Sequence, residues 1–359
     1  MNRENWIKIG KEAFISNDES DINSLLSTLI WRPKDSIIRY NFFVDIAPNK
    51  IIDVVNYQNL PQINRAKLIE QYKAAVISGK YKKFKYLVTK KDYYQRHEFD
   101  VSQAIKFFSR PVSLLLENGR NDAYFLKAIF KYFDKDVVGK KRLSEFAKYG
   151  YLNFDNAGGW TNINNVIEGQ KESLEEFCAE IGRDPIDFIR CFVLLDSDRE
   201  CIEPILEAKI RLKEKLENMG IEVHILNKRA MENYMPDEIV DDEATRNAVV
   251  NTWNNVYKTL SNEQKDYLNY PKGFPKDGGI SKARNLQKEG IKNLYSNPPI
   301  SDINYNVLDQ GIRYPNFKEN FPKKFNSPLT YRDNLLKREG GTIDKNEFLE
   351  IIDKINKLL

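Results

Sequence analysis

Arg190-Cys191-Phe192-Val193-Leu194-Leu195-Asp196-Ser197-Asp198-Arg199-Glu200 is the stretch on which the fold of this chain turns. Its apolar run, Cys191 to Leu195, is short enough for a strand buried on both faces, and it stops at two acids one residue apart. In an open parallel sheet the carboxyl ends of the strands face the functional crevice. Two carboxylates there repel each other unless a cation neutralises them. Alternate residues point the same way, so Asp196 and Asp198 suit a single Mg²⁺ site. The same pattern also describes a strand followed by a solvated turn.

Pro111 to Leu116 is a second short apolar run that ends at Glu117. Asn118-Gly119-Arg120-Asn121-Asp122 follows, and then Ala123 to Phe133 at helical spacing. Tyr151 to Phe154, Ile163 to Glu180, Phe188 to Leu195, Glu203 to Met219 and Glu222 to Leu226 continue the alternation of strand and helix. Residues 110–236 therefore predict a mainly parallel sheet with helices on both faces. The charged helix from Ala208 to Leu216 reads as a solvated face over an apolar stripe, and its lysines carry no functional assignment.

Strand, acid, glycine-containing turn, second acid and helix, in that order, resemble the first half of a TOPRIM domain, and the Asp-x-Asp strand resembles its second half. Tyr151-Leu152-Asn153-Phe154 leading into Asp155-Asn156-Ala157-Gly158-Gly159-Trp160 is similar to the second strand and glycine-rich turn of TOPRIM nucleases. Glu232-Asn233-Tyr234, just past the last strand, resembles a segment of the overcoming-lysogenisation-defect (OLD)-like TOPRIM effectors of bacterial anti-phage systems. The resemblance covers Pro111 to Pro236. The chain departs from the family pattern at Asn118, where a glycine is usual, and at Asp122, which lies one residue late. Either the turn carries an extra residue or Asn121 takes the usual acidic place.

The resemblance implies a Rossmann-like TOPRIM fold that binds Mg²⁺ or Mn²⁺ through Glu117, Asp196 and Asp198. Glu232 would be a further carboxylate serving a second metal. Asp122 is either another site acid or the cap of the helix at Ala123. Arg199, Lys228 and Arg229 would contact phosphate. Of the activities this fold supports, strand passage needs gate domains for which there is no room. Primer synthesis usually comes with a zinc module whose cysteines are missing here. What remains is metal-dependent cleavage of DNA or RNA by an effector under the control of a partner. No Gly-x-x-x-x-Gly-Lys-Ser/Thr segment occurs, so a controlling ATPase or sensor would be a separate chain. A homodimer would pair two sites across a duplex. The competing expectation is a non-catalytic module that holds nucleic acid or a partner on a degenerate TOPRIM fold.

The rest of the chain sets the bounds. With 359 residues, 41% hydrophobic and 30% charged, it is long enough for more than one core and too apolar to be disordered. A net charge of +4 does not by itself indicate nucleic acid. Three cysteines without metal-ligand spacing, only two histidines and a polar N-terminus suit a reducing cytoplasm, with neither zinc nor membrane. No internal repeat is evident.

Residues 1–109 read as an α+β region in which Ser36 to Val44 alternates as a strand and Ile63 to Ser78 as a helix. There Lys82, Lys83 and Lys85 interleave with Tyr81, Phe84 and Tyr86, which suits nucleic-acid backbone and bases. An edge strand protected by lysines fits the same pattern. Residues 237–359 read as mainly helical, with a helix from Ala244 to Leu260 behind Asp241-Asp242-Glu243 and an amphipathic helix from Asp344 to Leu359. Between them Tyr270 to Leu329 is irregular, as functional or mobile segments are.

Overall fold

The chain, a computed structural model that describes residues 5–31, 37–138, 142–274 and 288–359, carries two four-stranded parallel sheets. In chain order the strands are Trp6–Ile9 (β1), Ile30–Trp31 (β2), Ile37–Ile38 (β3), Asn41–Val44 (β4), Tyr86–Val88 (β5), Glu98–Phe99 (β6), Val112–Leu116 (β7), Leu152–Asn156 (β8), Cys191–Leu195 (β9) and Glu222–Ile225 (β10). Two compact units contain them: Ser113–Ile167 with Cys191–Ile355, and Met1–Val112 with Glu168–Arg190 and Asn356–Leu359. These borders differ from the three sequence spans. Residues 237–355 belong to the same unit as the second sheet, and residues 168–190 to the unit of the first.

The second sheet has the order β10-β9-β7-β8. Every residue of β7 and β9 is buried, as an apolar run flanked by strands on both sides requires. Their register pairs Leu116 with Leu194, and Ile225 of β10 pairs with Leu195. From β7 the chain crosses to β8 on one side, returns to β9 on the other and goes on to β10, so the winding direction reverses between β7 and β9. Such a reversal opens a crevice at the carboxyl ends of the two strands. Glu117 and Asp196 are the first residues beyond those ends.

The helix after β7 begins at Gly119 and runs to Val138, longer than the apolar periodicity from Ala123 marked. The glycine is required by a close approach, because a Cβ at position 119 would lie 2.9 Å from Asn156 Cβ and 3.0 Å from its Cα. Asn156 closes the same corner by accepting from the N–H groups of Gly119 and Gly158 at 3.0 and 3.2 Å. The helix after β9 starts at Glu207 instead of Glu203, leaving the turn that follows Asp198 free of helix. The helix Glu347–Asn356 buries Phe348, Ile351, Ile352 and Ile355, as its amphipathic stripe requires, and Phe348 meets Phe125, Phe133 and Tyr234. The helix expected over Ala244 to Leu260 is two, Asp237–Arg246 and Ala248–Tyr257. Asn247 separates them, its side chain accepting from Val249 N–H at 2.9 Å.

The first unit corrects the α+β expectation. Its sheet is parallel with the order β4-β1-β5-β6, the same 2-1-3-4 winding as the second sheet. Among the described residues of this unit, the ribbon of β2 and β3 pairs antiparallel. The alternation over Ser36 to Val44 conceals two strands, since Ile37–Ile38 joins the ribbon and Asn41–Val44 joins β1. Strands of two to four residues are too short to show a period, which is why a second parallel sheet was not legible. The edge-strand reading of Lys83 to Val88 is also overturned: β5 begins at Tyr86 and lies between β1 and β6. No helix among the described residues is long and apolar enough to cross a membrane.

Candidate functional site

At the carboxyl ends of β7 and β9 a cleft of about 410 Å³ is lined by Glu117, Asp122, Asp196 and Glu232, with Asn118, Asn121, Asn156, Gly158, Gly159, Met231 and Lys318. Three of the four acids have one oxygen tied to a backbone N–H. Glu117 Oε1 accepts from Asp196 N–H at 3.0 Å, Asp196 Oδ1 from Met231 N–H at 3.2 Å and Asp122 Oδ2 from Asn118 N–H at 2.9 Å. Among the described residues the second oxygen of each accepts no hydrogen bond. Asp122 is not the cap of a helix at Ala123: the helix starts at Gly119, and from its first turn the carboxylate reaches back to the Asn118 N–H and lines the cleft.

Burial sets the electrostatics and the neighbours sharpen it. Burial, then the charges of Glu232 and Glu117, pushes the Asp122 carboxyl up to about 8 against a backbone hydrogen bond from Asn118. Asp196 is raised well above the carboxylate range by burial and by repulsion from Asp122, Glu232, Glu117 and Asp198. Glu117 and Glu232 are raised too, burial being the main cause for both. Carboxyl groups this crowded keep protons unless positive charge arrives.

Glu232 owes its place to the two residues after it. Asn233 is buried and donates through Nδ2 to the carbonyls of Lys265 and Leu268 at 2.8 and 2.9 Å, while its Oδ1 accepts from Ala230 N–H at 3.1 Å. The Tyr234 hydroxyl donates to Glu347, whose Oε1 also meets His224 Nε2 at 2.8 Å and Asn227 N–H at 2.7 Å. A Glu-Asn-Tyr run here is one acid for the cleft and two anchors behind it. Glu347→Ala would strand a buried imidazole, a hydroxyl and an N–H, so it should cost about 2–4 kcal/mol in urea unfolding, with Glu347→Gln costing less. Hydrogen exchange should rise first over residues 227–234.

The remaining sequence candidates fall elsewhere. Asp198 is not among the residues lining the cleft. It takes a left-handed backbone conformation, φ 55°, its N–H donates to Arg229 O at 2.9 Å, and its Oδ2 accepts from Lys209 Nζ at 2.5 Å. Lys228 is buried and paired with Asp266 at 2.5 Å, and burial lowers its ammonium to about 8. Arg199 donates to Asn227 O and lies over the Tyr267 ring at 5.5 Å. Arg229 donates to Arg199 O at 3.1 Å and helps line a larger pocket, about 700 Å³, with Lys272 and Arg313. Of acids that pocket gathers Glu200 and Asp309, so the smaller cleft, with four, is the candidate site. Lys82 and Lys83 are exposed in the first unit, while Lys85 donates to Lys357 O.

Sequence reasoning missed two cations. Lys318 lines the cleft from the short helix Phe317–Asn320, inside the irregular stretch, and Asn121 Nδ2 donates to its carbonyl. Residues 275–287 of that stretch lie outside the described residues. Lys209 is fully buried beside Glu117 and Asp198, against the expectation that its helix carries only solvated charge. Its spacing offered a signal, since Lys209 shares one helix face with buried Leu212 and Leu216.

No protein-family model, curated protein or solved structure matches the chain. Among the described residues no group of three or more His, Cys, Asp or Glu side chains encloses a metal position. The donor set nonetheless suits a hard dication of the Mg²⁺ kind, which keeps several waters and takes one or two carboxylates with substrate oxygens instead of an all-protein cage.

Proposed function

We propose that this chain is a Mg²⁺- or Mn²⁺-dependent nuclease that hydrolyses phosphodiester bonds in nucleic acid at a TOPRIM-type site. The supporting observation is the crowding of Glu117, Asp122, Asp196 and Glu232 around one cleft at the reversal point of a parallel sheet. An uncompensated acidic cleft would repel a polyanion, so the reading ties substrate binding to a cation. When bound, the ion polarises the phosphodiester and lowers the pKa of a water beside it. One or two of Asp122, Asp196 and Glu232 would hold it, while Glu117, which also meets Lys209 Nζ at 3.5 Å, is fixed through its bond to the Asp196 N–H. Lys318 places one positive charge over the same cleft, where it can neutralise a phosphate oxygen. In the hydrolysis the water oxygen bonds to phosphorus as the ester P–O bond breaks, and the departing oxygen takes up a proton.

The resemblance extends the proposal to an anti-phage effector restrained by a separate ATPase or sensor, with Lys82 and Lys83 free to meet nucleic acid or that partner. The test is cleavage of plasmid DNA and of structured RNA by purified chain with Mg²⁺, Mn²⁺ or EDTA, alone and beside an ATPase encoded next to it. Metal-dependent cleavage is expected. Cation binding with no cleavage in any arm would favour the non-catalytic module.

A further inference from the structure

A cation of the chain itself, Lys209, packs against the Asp-x-Asp pair. Lys209 Nζ is fully buried and donates to Asp198 Oδ2 at 2.5 Å and to the Asp196 carbonyl at 2.8 Å, with Glu117 Oε1 at 3.5 Å. The Trp160 ring, just past the Gly158-Gly159 turn, lies 5.6 Å from the same nitrogen. An ammonium has three protons to give, and these three oxygens account for them. Asp198 is held by the lysine, by its left-handed backbone and by its N–H bond to Arg229 O, and is not among the residues that line the cleft.

We infer that Lys209 is a positioning residue that supplies the positive charge on the Asp198 side, so the site takes one divalent cation, held from the Asp122, Asp196 and Glu232 side, where the resemblance implies two. The inference rests on the proposed cation site. A second dication between Asp198 and Glu117 would be repelled by the ammonium that already meets a carboxylate oxygen of each. Glu117, touched by the lysine on one side and the Asp196 N–H on the other, is held in register between the two charges.

The experiment is titration of metal-free protein with Mn²⁺, followed by calorimetry and by the paramagnetic signal of free Mn²⁺. Wild type should bind one Mn²⁺ per chain. Asp198→Asn should keep that stoichiometry with a Kd within about threefold, whereas Asp196→Asn should weaken binding at least tenfold. Lys209→Gln, checked for folding by circular dichroism, should free Asp198 and raise the count to two. A count that stays at one in folded Lys209→Gln would overturn the role given to the lysine. Two Mn²⁺ in wild type, one of them lost in Asp198→Asn, would overturn the inference while leaving the cation site standing. No Mn²⁺ binding in wild type would remove both. Should Lys209→Gln not fold, wild type and Asp198→Asn decide.

Discussion

Asp196→Asn should reduce metal-dependent cleavage by roughly 10³-fold and at the same time raise the melting temperature of the metal-free protein. The two effects share a cause. Asp196 is buried and repelled by Asp122, Glu232, Glu117 and Asp198, so an amide that need not take up a proton on folding relieves the folded state. The amide oxygen can still accept from Met231 N–H, the bond Asp196 Oδ1 makes at 3.2 Å, so the loop before Glu232 keeps its anchor. What the variant loses is a charged oxygen for the cation. Asp198→Asn should behave differently, losing its ion pair with Lys209 without removing a lining group of the cleft. Cleavage and a thermal melt in EDTA on the same preparations check both statements. A variant that loses activity together with stability would point to unfolding, and the assignment of Asp196 to the site would fall.

The parts of this site legible in the sequence are those fixed by strand register. β7 and β9 are uninterrupted buried runs, and the first residue past such a run must emerge at the sheet's carboxyl edge, so Glu117 and Asp196 could be placed without knowing anything else. Asp198 could not. Period-two logic extends Asp196's direction to it only while the backbone stays extended, and φ 55° breaks that condition. Lys228, Lys318 and Lys209 show a different limit, because whether a lysine faces phosphate, a cleft or a buried acid depends on what packs against it. Asp266, which holds Lys228, is 38 residues away in sequence. The first sheet was hidden for a simpler reason: its strands are shorter than the window needed to see their period.

Stability of the metal-free protein should fall as pH rises from about 4 to about 8, and saturating Mg²⁺ should remove most of that fall. In the unfolded chain Asp122 titrates near 3.8, and in the folded protein its carboxyl is held up to about 8 by burial and by the charges of Glu232 and Glu117. Between those values the folded state keeps a proton the unfolded state has lost. Its contribution is therefore fully present below the unfolded value and is lost as pH climbs through the folded one. The slope from such a group is at most about 1.4 kcal/mol per pH unit. Asp196, Glu117 and Glu232 are raised in the same direction and steepen it. Lys228, lowered to about 8 by burial, works with the opposite sign but only above that pH, where its folded form gives up a proton the unfolded lysine keeps. A bound dication replaces the protons as the neutralising charge, so Mg²⁺ should stabilise little at pH 5 and most at pH 8. Asp122→Asn should flatten the EDTA profile without any metal. Urea midpoints at pH 5, 6, 7 and 8, in EDTA and in Mg²⁺, measure this directly. A flat profile in EDTA would mean that the carboxyl groups are not crowded in solution, and the electrostatic case for a cation site would go with it.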